Sequence, residues 1–195
     1  MKRLYLILLA LCLTAVSAAA SWAGRGETDV VLDSNTAFYE GQALRYSIPS
    51  PRNFRLVIEE AYADGYSMAF IPRAESYDTA SVMIGVNIYK NGGLSFDSII
   101  AQDTVALRKH FGQQTAIREV PPLVASGGQS TRTFYLKNPK SFVPNVAIAY
   151  FDGGSEVLIF ELVITERILA YKAEQLFADF VRNFKPMKRG TLGNR

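Results

Sequence analysis

The chain has almost none of the residues that thiol, metal and triad chemistry require. It holds one cysteine and one histidine in 195 residues. Cys12 lies in the middle of an apolar run, between Leu11 and Leu13. A lipid-modified cysteine instead follows a small residue at the cleavage point, so Cys12 does not read as an anchor. If the apolar run is removed on export, no disulfide and no thiolate remains. A zinc site needs about four nitrogen or sulfur ligands, which excludes one built on His110. A histidine triad needs an orienting carboxylate and a nucleophile. His110 stands beside Lys109 in the last turn of a helix, where a cation suits the helix dipole, and reads as a surface or capping residue. The glycine pairs Gly92-Gly93, Gly127-Gly128 and Gly153-Gly154 are isolated turn signals. None opens a helix as a phosphate loop does. No Asp/Asn-rich calcium loop of the EF-hand type occurs. No catalytic, cofactor-binding or metal-binding residue is therefore assigned, and no cofactor is expected.

The excess of positive charge is also weaker than it looks. The chain carries 21 basic and 18 acidic residues. Two of the basic residues, Lys2 and Arg3, belong to the N-terminal segment. Arg182, Lys185, Lys188, Arg189 and Arg195 gather at the C-terminus with no acid among them. The body from Gly24 to Val181 then has 14 basic residues against 18 acidic ones, a net charge of −4. An acidic body with a scattered basic tail is not a nucleic-acid footprint. The tail reads as a solvated chain end.

What is present begins with an export signal. Lys2 and Arg3 precede the apolar stretch Leu4–Val16, and small residues follow from Ser17 to Ala23. This is the three-part layout of a secretory leader. The apolar stretch is shorter than the ~20 residues that span a bilayer. The spacing of small residues sets the mature start at Ser21 or Gly24. The expected location is periplasmic or secreted, with no stable membrane anchor after cleavage. The expected organisation is a signal peptide over 1–23, a flexible segment over 24–37, one domain over 38–187 and a basic flexible tail over 188–195. About 170 residues remain, a normal length for one domain.

Along that domain, Ala43–Ile48 reads as a strand stopped by Pro49 and Pro51. Phe54, Val57, Ile58, Ala61 and Tyr62 follow a helical stripe with Asn53 as N-cap, although Phe54, Leu56 and Ile58 also alternate as a strand does. Tyr66–Ile71 and Ser81–Tyr89 read as strands. Ser95 caps the clearest helix, whose apolar face is Phe96, Ile99, Ile100, Leu107 and Phe111, with Gly112 after its end. Strands follow at Thr115–Val120, Leu123–Ser126, Thr131–Leu136, Asn145–Phe151 and Glu156–Ile164. A second long helix starts near Thr165-Glu166 and stops at Pro186. Strands joined by tight turns imply an antiparallel sheet, and two amphipathic helices must cover it.

The carboxylates that invite attention are Glu59, Glu60 and Glu161. The first two read as the solvated side of a short helix. Glu161 reads as an outward-facing position on a half-exposed sheet. Most aromatics suit the core, but tyrosines such as Tyr62, Tyr66, Tyr89 and Tyr150 could line a groove between sheet and helix. The loops Arg73–Thr79 and Asn138–Pro144 are the candidate contact surfaces.

Three stretches carry a family resemblance. They are the early strand running into Pro49 and Pro51, the hairpin strands Thr131–Leu136 and Val157–Leu162, and the closing segment Ala178–Phe184. The last is similar to an F-x-x-F-V-x-S-F ending, with Asn183 where serine is usual. Together they resemble the PsbP-like superfamily, which holds the photosystem II extrinsic protein PsbP and a Ran-binding regulator. The resemblance implies an α+β fold, an antiparallel β-sheet flanked by helices as an α/β/α sandwich. It also implies a non-catalytic binding or assembly protein with a protein partner. A carrier of an apolar small molecule or lipid, held between sheet and helix, is the alternative; an enzyme ranks last.

Overall fold

A computed structural model describes residues 31–33, 36–40, 44–137, 146–164 and 170–188. The order is β1 (Val31–Asp33), β2 (Thr36–Glu40), β3 (Leu44–Pro49), β4 (Phe54–Val57), α1 (Glu59–Ala63) and β5 (Met68–Pro72). A 3₁₀ turn (Tyr77–Thr79), β6 (Val82–Lys90), α2 (Phe96–Phe111), β7 (Ala116–Val120) and β8 (Arg132–Lys137) follow. The chain continues through β9 (Val146–Asp152), β10 (Glu156–Ile164), α3 (Ala170–Asn183) and β11 (Lys185–Lys188).

Seven strands form one sheet in the order β4-β5-β6-β10-β9-β8-β7, and every pairing in it is antiparallel. The alternation of side chains along a strand decides what each face meets. On β6, Val82, Ile84 and Val86 point to one face; on β10, Leu158, Phe160, Leu162 and Ile164 join them. That face receives Ala173, Phe177, Phe180 and Val181 of α3. On the other face, Val157 and Ile159 of β10 and Ile148 and Tyr150 of β9 meet Ile100 and Leu107 of α2. The sheet is thus covered by a long helix on each side, the α+β sandwich expected from the sequence.

The α3 side is filled by the protein's own rings. Phe180 meets Phe70 at 5.3 Å and Phe160 at 5.5 Å between centroids. Phe184 meets Tyr46 at 5.6 Å and both Phe151 and Phe160 at 5.1 Å. Each such pair adds ~0.5–1.5 kcal/mol to what area burial gives. The Ser126 hydroxyl donates to the Phe184 carbonyl at 3.0 Å, closing the end of this helical segment.

Helix α2 begins where its cap requires. Ser95 is extended, and its hydroxyl oxygen accepts from the Ser98 amide at 3.1 Å. Gly112 follows the helix with φ of 97°. Asp97 lies in the first turn and Arg108 and Lys109 in the last, which complements the dipole.

Four sequence expectations need correction. The helix over 54–62 is two elements. Phe54–Val57 pairs with β5, and only Glu59–Ala63 is helical. Asn53 is no N-cap; its φ of 66° places it in the left-handed region of a turn. Within 24–37, expected as a flexible segment, Val31–Asp33 forms β1, and Thr36 and Ala37 begin β2. Leu123–Ser126 is not a full strand; only a bridge joins Val124 to Ser130. Finally, the last helix stops at Asn183, ahead of Pro186, and Lys188, expected to open the flexible tail, belongs to a strand. Lys185–Lys188 pairs with β3 and completes a second sheet, β1-β2-β3-β11. Pro186 is tolerated there because β11 lies at the edge. The expected onset of α3 at Thr165-Glu166 lies outside the described residues.

Candidate functional site

The polar groups that stand out lie between α2 and the large sheet, and their placement starts with a glycine. Gly85 sits mid-strand in β6, directly across from Glu161 of β10. With no side chain there, the ring of Tyr66 lies on the strand; a Cβ on Gly85 would fall 2.3 Å from Tyr66 Cε1. The ring position brings the Tyr66 hydroxyl to Glu161, where it donates to Oε2 at 3.1 Å. Glu161 Oε1 has no hydrogen-bond partner among the described residues.

One strand over, Tyr150 of β9 reaches toward α2. Its hydroxyl donates to Oδ2 of Asp103. Asp103 is the polar member of the buried face of α2, between Ile100 and Leu107. Glu161, Asp103, Tyr66 and Tyr150 are 2, 6, 1 and 1% exposed, so the cluster is sealed. Asn87, on the same face of β6, is buried as well and accepts from the Ser67 amide at 3.1 Å.

Burial in this setting favours neutral acids. It pushes the Glu161 carboxyl up to about 8; the Tyr66 hydrogen bond opposes this and the nearby Asp103 charge reinforces it. Burial also raises Asp103, while the bond from Tyr150 pulls it back. The hydroxyls of Tyr66, Tyr89 and Tyr150 are all raised, chiefly by burial and then by the adjacent carboxylates. Glu161 therefore holds its proton in a dry interface. Raised carboxyls are the tools of acid catalysis, but a sealed pair reaches no substrate.

A third buried acid, Glu156, begins β10 on the opposite face. It interacts with Tyr39, whose hydroxyl is pushed up to about 12 by burial, the Glu156 charge and a hydrogen bond to it.

The sequence placed some of these residues and misplaced others. Glu161 does not face outward; both sheet faces are covered, so every position of β10 is buried. Asp103 lies on the buried side of α2 although its charge suits solvent. Glu59 and Glu60 are exposed, as expected. His110 is half-buried rather than a plain surface residue, with its ring edge-on to Phe111 at 4.7 Å, and burial lowers its pKa. Tyr66 and Tyr150 are core residues with their hydroxyls bonded, not the lining of an open groove. Gly85 was the overlooked signal, since an isolated glycine inside a strong strand marks a close approach.

The Arg73–Thr79 loop is ordered by its own bonds. Glu75 accepts from the Ser81 amide at 2.5 Å and the Ser81 hydroxyl at 2.8 Å. Ser76 and Thr79 share a hydrogen bond of 2.6 Å, and Tyr77 is buried beneath the loop. Arg73, Ala74, Ser76, Asp78 and Thr79 face solvent. The other candidate loop, Asn138–Pro144, lies outside the described residues.

No family model matches the sequence, and no curated protein does. Solved structures do. Cyanobacterial PsbP (CyanoP) from Synechocystis matches with a TM-score of 0.50 at 11% identity, over 84% of this chain and 99% of that one. The Ran-binding protein Mog1p of Saccharomyces cerevisiae matches with a TM-score of 0.45 at 13% identity, over 78% and 96%. At such identities the likeness to cyanobacterial PsbP speaks for architecture alone, and on that ground the chain has the PsbP-like α+β fold.

Proposed function

We propose that this is an exported, non-catalytic protein that works by binding another protein, in a binding or assembly role outside the cytoplasm. One contrast carries the reading. The side chains poised for proton chemistry, Glu161 and Asp103, are sealed, whereas the Arg73–Thr79 loop is exposed and held in one shape by its own hydrogen bonds. A pre-ordered loop loses little conformational entropy on docking, which favours recognition. The fold shared with cyanobacterial PsbP is consistent with this reading. The leader-like run from Lys2 to Ala23 supports export. An apolar or lipid cargo is less well supported, since on the α3 side it would have to displace Phe70, Phe160, Phe180 and Phe184.

The test compares the full chain with Ala74→Arg, a variant that adds bulk to the loop without removing any side-chain bond. Both are tagged, expressed in the native host and recovered from fractionated cells after crosslinking. The reading expects a mature N-terminus at Ser21 or Gly24 in the envelope or medium. It also expects one protein partner held by the wild type and lost with Ala74→Arg at unchanged thermal stability. An uncut chain in the cytoplasm overturns the export claim. Identical captures by both forms overturn the loop's role.

A further inference from the structure

We propose that α2 is a proton-operated latch, docked on the sheet while the carboxyl group of Glu161 holds its proton and loosened when Glu161 and Asp103 are both charged. The geometry makes the helix depend on those groups. Ile100 and Leu107 of α2 press on an apolar patch, and between them Asp103 takes the hydroxyl of Tyr150. Glu161, on the strand beneath, has one oxygen bonded by Tyr66 and the other without a partner among the described residues. Among the described residues, the ionisable groups that act on this pair from the surrounding elements are Tyr66, Tyr89 of β6 and Tyr150 of β9, and none is a cation. Two negative charges in one dry interface have no counter-charge among the described residues, and the direct remedy is to let water in. Water enters by lifting α2, which uncovers Tyr150, Ile148 and Ile159 on the sheet.

The sign follows from burial. The docked state holds Glu161 protonated up to about 8, against an ordinary value of 4.5. Docking is therefore fully supported below pH 4.5, weakens as pH rises, and has lost this support above about 8. Asp103, also raised, acts in the same direction. His110, in the last turn of α2, is lowered by burial, so it acts in the opposite direction, against docking at the acid end of this range. The tyrosines are raised and stay neutral throughout.

Amide hydrogen exchange, corrected for intrinsic rates, tests the latch. One extra proton in the docked state predicts that α2 protection falls by about twentyfold between about pH 6.5 and 8.5. The amides of α3, on the other face, serve as the reference and should hold. Glu161→Gln keeps an acceptor for Tyr66 without a charge, and it should flatten the α2 response; Asp103→Asn should reduce it. Parallel loss in α2 and α3, or a wild-type response in Glu161→Gln, overturns the proposal. If neither variant folds, carbon-13 titration of Glu161 in the native chain decides, since a midpoint near the ordinary carboxyl value overturns it as well.

Discussion

Replacing Gly85 by alanine puts a methyl group where the Tyr66 ring lies. The new carbon would stand 2.3, 2.5 and 3.0 Å from three ring atoms, and real contacts do not come so close. The ring must move away from β6, yet Tyr66 is sealed in the core and its neighbours resist. Overpacking of this kind costs ~1–3 kcal/mol. Displacing the ring also withdraws the hydroxyl from Glu161 and leaves a buried carboxyl with neither oxygen bonded, a further ~1–3 kcal/mol. Gly85→Ala should therefore destabilise the fold by about 2–6 kcal/mol, read from urea unfolding followed by circular dichroism. The decisive measurement repeats the substitution in a Tyr66→Leu background. Without the aromatic ring the clash disappears, and alanine in a strand is then ~0.5–1 kcal/mol better than glycine. An equal cost for Gly85→Ala in both backgrounds would refute the argument that this glycine exists to seat Tyr66.

Other substitutions probe separate parts of the fold. Phe184→Ala removes a fully buried ring that touches Tyr46, Phe151 and Phe160, and should cost ~3–5 kcal/mol in the same unfolding assay. Ser95→Ala deletes the cap on the Ser98 amide and should cost ~1 kcal/mol, with exchange rising first in the opening turn of α2. Asn53→Gly should leave the melting temperature unchanged, whereas Asn53→Ala should cost ~1 kcal/mol, because only the left-handed conformation at φ 66° separates glycine from alanine there.

Local sequence was a good guide where one element formed from one continuous pattern. Helix α2 carried its cap, its stripe and its closing glycine in order, and β10 announced itself by its β-branched run. The failures came where a distant partner decided. Phe54–Val57 has both helical and alternating spacing, and pairing with β5 settles it as a strand. Lys185–Lys188 has no strand signal of its own and is made a strand by β3, far upstream. Glu161 is the most instructive miss. A run as uniformly apolar as Val157–Ile164 belongs to a strand covered on both faces, so a carboxylate within it had nowhere exposed to point. The run itself held the clue to the buried cluster; the hydrogen bonds from Tyr66 to Glu161 and from Tyr150 to Asp103 depend on distant elements and could not be read from it.

The small sheet ties opposite ends of the described chain together. Ser47 and Lys185 face one another across it, although nearly the whole domain lies between them in sequence. Its outermost strand is also the last described strand to be synthesised. A nascent chain can close its early hairpins as they emerge, but β3 waits for its second neighbour until synthesis has passed Lys188. Non-local pairing of this kind slows folding. The small sheet is therefore complete only after every other described strand has been made, so its last pairing cannot help to nucleate the fold.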